Sequence, residues 1–96
     1  MSLEERLTDL ASAIALATTH APDEYPSWSS WTYATHMADI KALWNEVRPR
    51  LQRDIDQAQT IDAKLQEMFA LFEAGQKEAG RDIAWALYNE KVEKLR

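Results

Sequence analysis

An apolar stripe with helical spacing runs through the middle of this chain and crosses a proline that has no linker around it. Tyr33, Met37, Ile40, Trp44 and Val47 are spaced 4, 3, 4 and 3 apart. Beyond Arg48-Pro49-Arg50 the stripe resumes as Leu51, Ile55, Ala58, Ile61, Leu65, Met68 and Phe72. That period puts the apolar groups on one face of an α-helix. No glycine, serine-rich stretch or capping residue stands just before Pro49, and two antiparallel helices need a loop of at least a couple of residues. The spacing therefore predicts one long helix over residues 28–74, kinked near Pro49. Nearly straight, such a rod extends roughly 70 Å. The competing reading breaks the chain at Pro49 or at Gln59-Thr60.

The flanking segments read as helices too. Ser2 and Glu5 stand in the S-x-x-E relation of a capping box, and Leu3, Leu7, Leu10, Ile14 and Ala17 form a stripe behind them. A helix over residues 3–19 follows, stopped by Pro22, which lacks an amide N–H and restricts the residue before it. Ala11, Ala13 and Leu16 widen the stripe and suggest contact with two neighbours. Ser27 is the expected N-cap of the next helix, with Ser29 and Ser30 as competitors. Ala74-Gly75 is a helix stop, because glycine accepts the left-handed conformation there. Residues 76–80 form a turn or the first helical turn, and a last helix beginning at about residue 78 or 81 runs to 95, lined by Ile83, Trp85, Leu87, Tyr88, Val92 and Leu95. Glu90 and Lys94 form an i, i+4 pair on it. No strand pattern is present.

The expected fold is all-α, a single domain over residues 1–96. Each half of the long helix pairs with one shorter helix, and such a hairpin leaves much of its apolar stripe wet. Homodimerisation would join the hairpins into a four-helix bundle. A compact monomeric three- or four-helix bundle is the alternative, and it requires a sharp turn near residue 49 or 60.

Composition narrows the function by exclusion. No cysteine is present, so disulfides and thiolate sites are ruled out. No apolar run is long enough to span a bilayer, and the acidic, polar start is unlike a secretory leader, so a cytoplasmic location is expected. The net charge is −5 without any run of five like charges, a poor match to a phosphate-binding surface. Residues 71–87 carry a helix–glycine–helix pattern that resembles a helix-turn-helix. The second element, Arg81-Asp82-Ile83-Ala84-Trp85, offers few groups that read bases. Neither His20 nor His36 follows a glutamate at i−3, so the Glu-x-x-His signature of helical metal sites is missing. His36 and Asp39 at i, i+3 supply at most two ligands, and no metal or cofactor is expected. Ser27, Ser29 and Ser30 read as caps rather than nucleophiles, since no strained turn or oriented acid accompanies them. Arg53-Asp54-Ile55-Asp56 resembles a short stretch of the helical chorismate mutases. The rest of the spine lacks the further basic residues that a dianion site needs, and no family assignment follows.

What remains is a non-enzymatic interaction protein, an adaptor or small inhibitor of the anti-defence, immunity or antitoxin kind. The expected partner-binding residues are Tyr25, Trp28 and Trp31, with Asp23 and Glu24 beside them; Tyr33 belongs to the same aromatic cluster. Tryptophan and tyrosine bury large area with few rotamers. Arg48, Arg50 and Arg53 form a second candidate patch for an acidic partner, unless they pair with Asp54, Asp56 or Glu46. A structural protein whose function is its own oligomer, and a DNA-binding regulator, are the alternatives.

Overall fold

Helix starts follow the local chemistry. In the computed structural model, which describes residues 2–96, Ser2 Oγ accepts the Glu5 amide at 3.1 Å and opens α1 (Leu3–Ala17). α2 (Tyr33–Val47) is opened by Thr32, whose hydroxyl accepts the Thr35 amide at 3.2 Å while Thr35 Oγ1 accepts the Thr32 amide at 2.9 Å. This reciprocal pair satisfies two orphan donors and starts the helix later than the serines at 27, 29 and 30 suggested. α3 spans Ile55–Glu73 and α4 spans Lys77–Asn89. Gly75 takes the left-handed conformation at φ 77 between them, as the Ala74-Gly75 stop implied.

The single kinked rod expected over residues 28–74 is instead two helices. α2 passes into a 3-10 turn at Arg48–Arg50, and residues 51–54 are irregular before α3 begins. Three things complete the break. Pro49 removes an amide from the helical ladder. Leu51 turns inward and is buried. The Arg53 and Asp54 amides donate to the Arg96 carbonyl at 2.8 and 2.9 Å, and the Arg96 amide donates to Asp54 Oδ2 at 2.9 Å.

The last helix also ends sooner than its stripe suggested. Lys91 adopts φ 56, and the chain turns into a short 3-10 segment, Val92–Lys94. Turning there folds Val92 and Leu95 under the bundle, where both are buried; a continued helix would carry them past it. Glu90 consequently faces Lys64 of α3 at 3.3 Å rather than Lys94.

Successive helices run antiparallel. Arg6 meets Glu46 across α1 and α2, Tyr33 meets Phe72 across α2 and α3, and Lys64 meets Glu90 across α3 and α4. α4 returns to α1, with the Arg81 guanidinium donating to the Ala21 carbonyl just beyond α1. The result is an up-down-up-down four-helix bundle. Leu7, Leu10, Ile14, Ile40, Ile61, Leu65, Met68 and Leu87 fill its centre without solvent contact. Gly80 falls in the first turns of α4, the helical one of the two readings of residues 76–80, and a Cβ there would stand 2.6 Å from the Phe72 ring, so glycine permits this close approach of α4 to α3.

A single chain covers this interior. The radius of gyration is 12.8 Å, against about 12.5 Å for a compact chain of this length. The accessible surface is 5498 Å², against about 5,600 Å² for a folded monomer of this mass. The long axis is 38 Å. The premise of the dimer was an apolar seam too long for one copy to seal, and the folded chain buries Met37, Ile40, Trp44, Val47, Ile61, Leu65, Met68 and Phe72 of that seam itself, leaving Ile55 exposed.

Candidate functional site

The connector over residues 18–32 is held to the bundle chiefly by side chains. Lys77 Nζ stands 3.1 Å from Asp23 and 2.8 Å from Glu24. Arg81 donates from Nε to the Ala21 carbonyl at 2.7 Å and also bonds the Glu24 carboxylate. Hydrogen bonds from Lys77 and then Arg81 hold the Glu24 carboxyl below its ordinary range. Asp23 and Glu24, expected at the docking surface, thus fasten the connector to α4. The Glu24 amide donates to the His20 carbonyl at 2.8 Å, and His20 Nδ1 donates to the Glu24 carbonyl at 3.1 Å, closing a tight turn.

His36 is the inner anchor. It projects from α2 into the interior and is fully buried. Nε2 donates to the Ala13 carbonyl at 2.8 Å, which leaves Nδ1 to accept the Tyr25 hydroxyl at 2.6 Å. Tyr25 meets the imidazole edge-on, with ring centres 5.5 Å apart, and Trp31 packs at 4.9 Å. Burial pushes the His36 pKa down, and the bond to Ala13 only partly offsets this. Burial likewise raises the Tyr25 hydroxyl to about 12. The pair is therefore a neutral imidazole receiving a neutral phenol.

On this support sits an apolar groove of about 200 Å³, lined by Leu16, His20, Tyr25, Pro26, Trp28, Ser29 and Trp31. The Ser29 amide donates to the Pro26 carbonyl at 3.0 Å and the Trp31 amide to Ser29 Oγ at 3.1 Å. These bonds shape a turn that carries Trp28 at its tip, 87% exposed. Leu16 is 42% exposed and Trp31 36% exposed. Trp85 and Tyr88 form another exposed aromatic pair on the α4 side, next to Ala15 and Thr18.

The structure thus brings Tyr25, Trp28 and Trp31 together, with Tyr25 facing inward as support. It separates them from Arg48, Arg50 and Arg53, which lie at the opposite end of α2 or beyond it. Each arginine there has a carboxylate partner: Asp62 at 3.2 Å, Glu46 at 4.0 Å and Asp54 at 3.6 Å, respectively. Tyr33 packs against Phe72. Among the described residues no three of His, Cys, Asp and Glu converge in a way that could hold a metal. His36 is turned inward while Asp39 is exposed.

Leu16 and Pro26 were not singled out from the sequence as surface residues. Two signals mark the region. Leu16 is off the main α1 stripe, and no Asp, Glu, Lys or Arg occurs over residues 10–22 or 25–38, so both walls of the groove are uncharged. Comparison with protein-family models, with curated proteins and with solved structures finds no significant match to this chain.

Proposed function

We propose that this chain is a non-enzymatic helical interaction module, an adaptor or small inhibitor that acts by covering part of another protein's surface. The observation that carries the reading is Trp28. This indole is 87% exposed, well beyond Ile55 at 54% and Trp85 at 47%, and it stands beside Leu16 and Trp31 over one uncharged groove. A tryptophan anchor of this kind contributes on the order of 2 kcal/mol or more when a partner desolvates it. The reading carries with it the cytoplasmic setting expected from the sequence.

The homodimer reading has lost its main support, since one chain closes its own core. The DNA-binding reading rested on the helix–glycine–helix over residues 71–87, and it is weakened because its Arg81 is engaged by the Ala21 carbonyl and the Glu24 carboxylate on a chain of net charge −5. Site-specific photo-crosslinking tests the proposal. A photoreactive phenylalanine analogue at the exposed Ser30, beside the intact Trp28, should give a defined adduct with one protein. The same group at the exposed Gln59 on α3 should not. Excess unlabelled protein should compete the adduct away, and the Trp28→Ala variant should fail to compete. Identical adducts from both positions, or none from position 30, would refute the aromatic surface as the functional one.

A further inference from the structure

The aromatic groove does not stop at the connector. Leu16 and Trp31 also line a second groove of about 290 Å³ that descends between α1 and α2, past Ser12 and Asp39 to Asp9 and Leu43. The upper half carries no charge and the lower half is acidic. Arg6 is the one cation lining this lower half, and it is already engaged twice, by Glu46 at 2.8 Å and Asp9 at 3.2 Å. Asp39 is exposed and has no ion-pair partner among the described residues. Arg50 also pairs with Glu46 at 4.0 Å, so Arg6 and Arg50 against Asp9, Asp39 and Glu46 leave one uncompensated negative charge along the wall, that of Asp39.

We propose that this continuous α1–α2 groove docks a basic, apolar-anchored segment of a partner protein, with a large apolar side chain against Trp28, Trp31 and Leu16 and a lysine or arginine on Asp39 and Asp9. The inference rests on the reading of the chain as an interaction module and adds the chemistry of what it binds. Charge complementarity selects the occupant. A second copy of this chain brings net charge −5 to an acidic wall. Nucleic acid and anionic membrane surfaces are repelled for the same reason. A basic segment gains on both counts: its cation meets a carboxylate that nothing else neutralises, and its apolar group meets rings that nothing else covers. Leu16 and Asp9 are two turns apart on α1, ~10 Å along the axis. The anchor and the cation therefore stand about three residues apart in an extended segment or about seven apart in a helical one.

Selection from a library of short random peptides displayed on phage tests this. The targets are the intact protein, its Trp28→Ala variant and its Asp9→Lys/Asp39→Lys variant, all altered at exposed positions. The expected result is enrichment of peptides that pair an aromatic or large aliphatic residue with lysine or arginine at one of those spacings. Their Kd should rise about tenfold or more on either variant, and added salt should weaken them. Enriched peptides that need Trp28 but lack cations, or that bind the lysine variant unchanged, overturn the basic-partner inference and leave the aromatic surface standing. No enrichment, or equal enrichment on Trp28→Ala, overturns both.

Discussion

The two ends of this bundle are closed in different ways. Where α2 hands over to α3, the chain is sealed by backbone: the amides of Arg53 and Asp54 share the Arg96 carbonyl, and Val92, Leu95 and Leu51 turn inward beneath the helices. Where α1 hands over to α2, the connector is longer and is held by side chains, through Tyr25 and Trp31 on one buried imidazole and Asp23 and Glu24 on Lys77 and Arg81. That end leaves Leu16, Trp28 and Trp31 in solvent. A chain that folds its last residues under one end to hide two aliphatic groups has the means to hide apolar surface. Among the described residues the sealed end leaves only the single aliphatic Ile55 in solvent, whereas the other end leaves a cluster with Trp28 at its tip, and that cluster is a property of that end.

The contrast can be broken most forcefully at the sealed end. Leu95→Ala removes a side chain that is 1% exposed and should cost about 2–4 kcal/mol in urea unfolding. A loss under about 1 kcal/mol would mean that the closure contributes little. At the aromatic end the largest effect should come from the anchor. Tyr25→Phe leaves His36 Nδ1 without a donor in a buried site and should cost about 1–2 kcal/mol.

The same anchor makes stability depend on pH. His36 is held neutral by burial, so its folded pKa lies below the ordinary 6.5. The unfolded chain takes up the proton first as pH falls. Its contribution to stability is thus complete above that ordinary value and is lost progressively as pH falls through the folded pKa. Urea midpoints measured across that window should fall for the wild type, and His36→Gln should flatten the dependence. An unchanged slope in the variant would assign the effect to other groups. The smallest effect belongs to the residue of greatest functional weight: Trp28→Ala should change stability by no more than ~0.5 kcal/mol, as expected for an exposed position. A larger loss would make Trp28 a structural residue and dissolve the contrast.

Features set by neighbouring residues were legible in the sequence. The Ser2–Glu5 cap, the stripe of Leu7, Leu10 and Ile14, and the left-handed Gly75 each follow from a few adjacent side chains. The break after Val47 was legible only as the competing reading at Pro49, because the acceptor that completes it belongs to Arg96, more than forty residues away. The early end of α4 escaped for the same reason, since only the assembled bundle rewards turning Val92 and Leu95 inward. The aromatic cluster was legible as a concentration of tryptophan and tyrosine. Its division of labour was not: Tyr25 supports and Trp28 presents only because His36, eleven residues beyond Tyr25, points into the core. Asp23 and Glu24 read as surface charges until α4 arrives with Lys77 and Arg81.

The account stands on a bundle that closes alone and leaves Trp28 for a different protein. Fluorine NMR of the chain labelled with fluorotryptophan reads this directly, since its four tryptophans give four signals assignable by single replacement. Trp28 should show the largest solvent isotope shift, Trp44 almost none, and neither should move as the protein is concentrated. A Trp28 signal shielded from solvent, or one that shifts with concentration, would place a second copy over the groove and contradict the account.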